Sequence, residues 1–509
     1  MKRYIINLLV LTALLGSCSE SLQDTYSDYT GNGKIRYVGK CTELDVTPGW
    51  RRLSLQWKNS TDATVEKIKV AWSSDEVKGD TLLDAQVTSF ELRDLEDGTY
   101  RFDICAIDKN KNESLALTNY GRPYTENHES VRTFTNVITK YYRVGSNLVF
   151  FMDQWNDNII KVDLKYKDLQ GEEVVRPLKE EDFTENFIML QNVSTVTTDS
   201  IFIFREGKLE GCPDTIRFTP LALNNTKTFT SDFTSAIRKR YGFTDQIESE
   251  KLDFDRFIDT VRVLEFDYDV NSFEDVLYCP KLEKIVLGKN RYLYSDPKYG
   301  TDADKSVLHD KSRSIKVLDK AHELMGLKIE RYGKHYLDDT SLSYMTDLGY
   351  PSLPPMNCVL AAEVDTIRCS LKDNRADDML VNLVDDNPVT RWETSILSYL
   401  RSYDVTIELK EPKNIRGVKI SQVLYDPQLD NESRYFLPPS IIVKTSMDMG
   451  DWKNVTHTEE NTLGRGSGEV TLLPIVEGSR EVRYIKVTVY DQMDGNVSRI
   501  KLGDIIAYY

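Results

Sequence analysis

The chain has 509 residues, too many for one hydrophobic core, so three or four domains are expected. Its formal net charge of −16 argues against nucleic-acid binding, which needs a basic footprint. Tyr, at 28 residues, outnumbers Phe at 18, a balance that suits strands with half-exposed faces.

In chain order, residues 1–18 read as a targeting segment. Lys2 and Arg3 give a positive start and Tyr4 to Leu15 a short apolar core, too short to span a bilayer. The ending Leu15-Gly16-Ser17-Cys18 resembles the lipobox of bacterial lipoproteins. That resemblance implies that Cys18 becomes the lipidated first residue of the mature chain; the localisation expected is the outer membrane, exposed at the cell surface, with the sequence alone leaving the membrane face open. Residues 19–36, rich in Ser, Asp, Tyr, Thr and Gly, read as a flexible tether.

Residues 37–135 show strand alternation in Leu53, Leu55 and Trp57, in Ile68, Val70 and Trp72, and in Tyr100, Phe102, Ile104 and Ala106. The order Pro-Gly, Leu-x-Leu-x-Trp, Leu-x-x-Leu-x-x-Gly-x-Tyr-x-Phe resembles a fibronectin type III or immunoglobulin-like module, with Trp57 in its core. Within 136–222, Leu148 to Phe151, Val162 to Tyr166 and Ile201 to Phe204 echo the first module, so a second sandwich of the same kind is expected. The pair resembles the N-terminal modules of surface lipoproteins from glycan-foraging Gram-negative anaerobes.

Residues 223–352 carry a different period. Val261-x-x-Leu264-x-Phe266 recurs as Leu282-x-x-Ile285-x-Leu287, followed by Asn290, which resembles leucine-rich-repeat spacing. Two turns predict a small α/β connector. Ile315 to Leu324 is expected as a helix ending at Gly326, and Ser295 to Lys311 as a loop. Tyr350-Pro-Ser-Leu-Pro-Pro355 marks a boundary before the last domain, 353–509.

The last domain is the most informative. Asn382 to Thr394 sets Asp385, Asp386, Asn387 and Thr390 on a tight turn before Trp392. Such oxygen density suits calcium, but spacing alone favours an Asx-rich turn that bonds its own backbone. This turn, the strands at Val405–Leu409, Ile415–Ile420 and Ile441–Ser446 with the Ser-x-Asp turn and Trp452, and the late strands Arg483–Val487 and Gly503–Tyr508 together resemble the discoidin-type domain. That domain is also called the coagulation-factor C-type domain, and the family 32 carbohydrate-binding modules share its pattern. The resemblance implies a galactose-binding-like jelly-roll sandwich in a mainly β chain. It also implies a structural calcium held by Asp385, Asn387 and Thr390, with Asp504 in place of the family's usual Glu. Asp386 stands where the family has Gly, at a position that needs positive φ.

A sugar site needs an aromatic platform beside hydrogen-bonding groups. Candidates are Tyr399, Arg401 and Tyr403 in one loop, Tyr425, Arg434, Tyr435 and Phe436 in another, and Asp491 to Asn496 in a third. Trp392 and Trp452 are expected in the core. Six cysteines besides Cys18 permit disulfides, with Cys358–Cys369 the candidate pair and free thiols the alternative. No Cys-x-x-Cys, nucleophile elbow, phosphate loop or His-Glu-x-x-His occurs, and five scattered histidines offer no partner. The function expected is non-catalytic glycan binding by a lipid-anchored surface protein, with the last domain recognising and the upstream modules presenting it. A structural or assembly protein that contacts neighbouring surface proteins is the alternative, and a glycoside hydrolase with its site in 223–352 a third.

Overall fold

The computed structural model describes residues 37–132, 138–152, 154–184, 187–196, 198–223, 226–294, 296, 298–299 and 305–509. The expected leader with Cys18, the expected tether and part of the Ser295–Lys311 segment lie outside the described residues. The chain is mainly β with several sandwich sheets. It divides into two compact units, one of residues 1–140, 150–188 and 193–224, the other of 141–149, 189–192 and 225–509. Among the described residues no helix is long and apolar enough to cross a membrane.

In the first unit the alternation read from 53–57, 68–72 and 100–106 buries one face of each strand. Leu53, Leu55, Ile68, Val70, Phe102 and Ile104 are fully inaccessible, and Trp57 is 4% exposed. Thr42–Gly49, Arg52–Lys58 and Ser89–Arg93 form one sheet. Lys78–Asp84, Val65–Ser73, Tyr100–Asp108 and Leu117–Gly121 form the facing one, in that order. The two inner faces share one core, as a sandwich requires. Further along, Ile159–Lys167 pairs with Glu173–Leu178 on one side and with Ile201–Gly207 on the other, in a further antiparallel sheet.

From residue 225 on, the second unit begins with two helices, Ser231–Tyr241 and Lys251–Thr260, in a stretch where the sequence pattern predicts none. The repeat spacing produces parallel strands as expected, but four of them rather than two: Val263–Phe266, Lys284–Leu287, Lys328–Tyr332 and Met345–Leu348 pair in sequence order. The helix expected at 315–324 spans Lys311–Met325 and ends on Gly326 at φ +71°, the left-handed cap that glycine supplies without strain.

Residues 353–509 form the expected jelly roll. One sheet orders Val364–Cys369, Ser402–Ile415, Arg480–Tyr490, Ser440–Ser446 and Lys453–Asn454. The other orders Val470–Pro474, Gly417–Ser421 and Asp504–Tyr508. Trp392, Tyr403, Val405, Val443, Val487 and Leu502 are fully buried between them. Trp452 departs from the expectation of a core position: it is half-buried, with the Lys486 ammonium 4.5 Å above its ring. The candidate disulfide is absent because the two cysteines belong to opposite sheets. Cys358 bridges to Tyr508, Cys369 pairs with Val405, and both are free thiols.

A buried ion pair joins the repeat sheet to the jelly roll. The Arg291 guanidinium, 6% exposed, meets the Glu469 carboxylate, 1% exposed, with Nη2 to Oε2 at 3.0 Å. Arg291 Nη1 also donates to the Asp267 carbonyl at 3.2 Å. The Gly-Arg-Gly-Ser-Gly run at 464–468 builds the acceptor side. Gly466 N–H donates to Glu469 Oε2 at 2.8 Å, and a Cβ on Gly464 would fall 2.0 Å from the Glu469 carboxyl carbon. Val470 N–H donates to the Tyr292 carbonyl at 3.0 Å beside the pair. Arg291→Met or Glu469→Leu alone leaves an uncompensated buried charge and is expected to cost about 3–5 kcal/mol, while the double substitution restores most of the loss. Chemical denaturation of the three variants measures it; equal losses in singles and double would contradict the reading.

Candidate functional site

A cleft of about 970 Å³ lies between the helix Ser231–Tyr241, the end of the first repeat strand with the segments that follow the first two, and the jelly roll. Apolar Phe233 and Ile237 of the helix turn to the core. Helical spacing therefore places Asp232, Ala236 and Lys239 together on another face, which lines the cleft. The helix ends at Gly242, φ +80°, where a Cβ would meet the His457 ring at 2.3 Å, so glycine lets the jelly-roll loop pack against the helix end.

Of the predicted ligand residues, Tyr425, Arg434 and Tyr435 line this cleft. Tyr435 is 37% exposed. Its ring carries the Arg434 guanidinium 4.6 Å from the centroid, and Arg434 Nη2 donates to its hydroxyl at 2.7 Å. Tyr425 is 6% exposed and its backbone is fixed by the Ser467 hydroxyl, which receives Tyr425 N–H at 2.8 Å and donates to its carbonyl at 2.6 Å. Asn431 and Asn461 add amide groups to the lining.

The other candidates lie elsewhere. Arg401 is taken up by the fold. Its Nη2 pairs with Asp373 at 3.1 Å, its Nε lies 3.5 Å from Asp491, and its guanidinium sits 4.9 Å from the Tyr403 ring centroid. Burial pushes the Asp373 carboxyl up, but the Ser395 hydroxyl and amide and the Arg401 guanidinium outweigh it and hold the group at about 2. Phe436 is 3% exposed, an inner wall beneath the Arg499 guanidinium at 4.7 Å and the Lys501 ammonium at 5.8 Å. Tyr399 is exposed outside the cleft, and Asp491 is buried beneath Arg401 rather than presented in a loop.

Sequence reasoning missed the connector's share of the lining, notably Lys239, and Arg465 and Asn461 on the jelly-roll side. The Gly-Arg-Gly-Ser-Gly run was the available signal for Arg465: a glycine-rich turn leaves its one long side chain pointing outward.

The Asp385 turn closes as read. Asp385 Oδ1 accepts from Asn387 N–H at 3.0 Å, and the Thr390 hydroxyl donates to Asp385 Oδ2 at 2.9 Å. Asp386 adopts φ +54°, the glycine-like conformation expected there. Asp504, on the closing strand, is 2% exposed, and its Oδ1 has no hydrogen-bond partner. Burial, opposed by the Lys419 ammonium and reinforced by the charges of Asp385 and Asp386, pushes the Asp504 carboxyl up to about 7. An orphaned buried carboxylate oxygen facing a turn of oxygen donors fits a hard cation. Lys419 already brings one positive charge there, through its 2.5 Å pair with Asp386. Among the described residues no three His, Cys, Asp or Glu side chains group closely enough to hold a metal by themselves, so Asn387 and Thr390 would have to complete any ligand set.

A family profile described as a domain of unknown function matches residues 18–205. No curated protein matches the chain. Among solved structures, the chain is similar to the family 32 carbohydrate-binding module of Clostridium perfringens NanJ in complex with galactose, at 13% identity and TM-score 0.23, covering 30% of this chain and 98% of that one. It is similar to a human collagen XX fibronectin type III domain at 12% identity and TM-score 0.16, covering 18% and 99%. It is also similar to a two-domain fibronectin type III segment of chicken tenascin at 14% identity and TM-score 0.18, covering 36% and 99%.

Arg401→Ala is expected to lower stability by about 3 kcal/mol, since it leaves Asp373 and Asp491 buried without their cation. Tyr435→Ala, on a partly exposed ring, is expected to leave stability nearly unchanged. Thermal denaturation of both variants checks the contrast; an undisturbed Arg401→Ala protein would return Arg401 to the list of ligand residues.

Proposed function

We propose that this chain is a non-catalytic, lipid-anchored protein of the cell surface that captures a saccharide in the cleft of its second unit. The observation that carries this reading is the meeting of the Tyr435 ring, Arg434, Asn431 and Asn461 in one concavity of about 970 Å³. A pyranose presents an apolar face ringed by hydroxyls. An aromatic ring takes the face, and amide and guanidinium groups take the hydroxyls. The resemblance of the last domain to carbohydrate-binding modules supports the same ligand class.

The carboxylates around the cleft support binding without turnover, because each serves the fold. Glu265 pairs with Arg240 and with Lys289 at 2.8 Å. Asp267 receives the Asn290 backbone and side-chain amides, both at 2.9 Å. Asp232 receives Asn271 N–H at 2.6 Å and Asp269 receives Val307 N–H at 2.8 Å. A single weak site becomes useful when a lipid anchor at Cys18 gathers many copies on one membrane, because a polymeric glycan then engages several at once.

A structural calcium belongs to the same proposal. Asp385, Asn387, Thr390 and Asp504 would hold it, and the ion would supply charge neutralisation between the turn and the closing strand. Calcium at a hundred times its Kd is expected to add about 2.7 kcal/mol to stability, read as a rise in melting temperature that EGTA removes. No shift in either direction would mean that Lys419 alone balances these carboxylates.

Binding itself is tested on a glycan array, followed by calorimetry on the best ligand. Tyr435→Ala is expected to weaken that ligand by about tenfold with the melting temperature unchanged. A protein that binds no glycan, or a Tyr435→Ala variant that binds as the parent does, would overturn the reading.

A further inference from the structure

The charges that line the cleft are unevenly spent. Its four carboxylates, Asp232, Glu265, Asp267 and Asp269, all receive hydrogen bonds or ion pairs from the fold. Arg240 and Arg291 are matched to Glu265 and Glu469. Lys305 lines the cleft too, and three other cations, among the described residues, are not matched. Arg434 donates to its neighbour's hydroxyl, at 2.7 Å. Arg465 Nη2 donates to the Arg434 carbonyl at 3.2 Å. The Lys239 ammonium donates to the Thr462 hydroxyl at 2.8 Å, three residues before Arg465. None of the three has a carboxylate in ion-pair contact among the described residues. The contacts through Thr462 and the Arg434 carbonyl tie all three to one jelly-roll wall of the cleft.

In a chain of net charge −16, where acidic side chains outnumber basic ones, these three cations still gather on one wall. Burial lowers the Lys239 pKa and the Glu460 carboxylate only partly opposes it, so a bound anion would offset the remaining cost of holding the charge. Guanidinium groups receive a carboxylate or sulfate through paired N–H donors, which a neutral hydroxyl cannot match.

We propose that the saccharide captured in the cleft is acidic, with a carboxylate or sulfate group received by Arg434, Arg465 and Lys239. The inference rests on the cleft being a saccharide site. It adds that recognition is shared between the jelly roll, which supplies both arginines, and the connector helix, which supplies the lysine.

The test is calorimetry on the full chain at low and at 0.3 M salt, with four probes: tetragalacturonate, its methyl ester, a neutral galacto-tetraose and a sulfated galactan fragment. The expected result is at least about tenfold tighter binding of an acidic probe than of its neutral counterpart, with the advantage shrinking as salt screens it. Preference for tetragalacturonate over the sulfated fragment assigns the group as a carboxylate, and the reverse as a sulfate. Arg465→Gln is expected to remove the preference while leaving neutral binding and melting temperature in place, and Arg434→Gln to weaken the acidic probe more than the neutral one. Lys486→Gln, a surface change outside the cleft, is expected to alter neither. Equal binding of acidic and neutral probes overturns this inference while the saccharide site stands. Failure of all four probes overturns both.

Discussion

The contact between Arg291 and Glu469 is the constraint on which the second unit depends. Two charges almost wholly removed from water remain stable only if they meet each other and their remaining donors and acceptors are filled. The surroundings supply this: the Asp267 carbonyl on one side, the Gly466 amide on the other, and a strand-like bridge between Tyr292 and Val470 alongside. The pair fixes the repeat sheet and the jelly roll at one spacing. The cleft is the space left between them.

That origin explains the composition of the site. A pocket inside one sandwich would be lined by its own alternating strand residues. A cleft between a helix face and a set of loops collects whatever each element turns away from its core. Ser231–Tyr241 turns Asp232, Ala236 and Lys239 away from Phe233 and Ile237. The jelly roll contributes Arg434 and Tyr435 from a short helical segment whose Ser433 and Phe436 are buried. The lining therefore mixes aromatic and apolar surface with amide, carboxylate and cationic groups, a combination that suits a ring with an apolar face and hydroxyls.

Strand alternation and turn chemistry made much of the fold legible. Trp57 and Trp392 are in cores, Asp386 takes the positive φ that its place in the turn demands, and the helix before Gly326 ends on that glycine. What stayed hidden depends on long-range pairing. Arg401 reads as a surface arginine among tyrosines, but its partners Asp373 and Asp491 are distant in sequence and buried. Phe436 sits next to an exposed tyrosine and faces the opposite way. The third and fourth repeat strands escaped because a long loop and a helix stand between them and the regular spacing of the first two. The Ser231–Tyr241 helix was masked by its polar face, the same face that lines the cleft.

The central claim is that one ligand touches both walls. Hydrogen–deuterium exchange on the full chain, with and without the best-binding oligosaccharide, tests it most directly. The account predicts added protection in peptides covering 232–240 and in those covering 425–435 and 456–465, with none in the first unit. Protection confined to jelly-roll loops outside the cleft, or absent from 232–240, would contradict it.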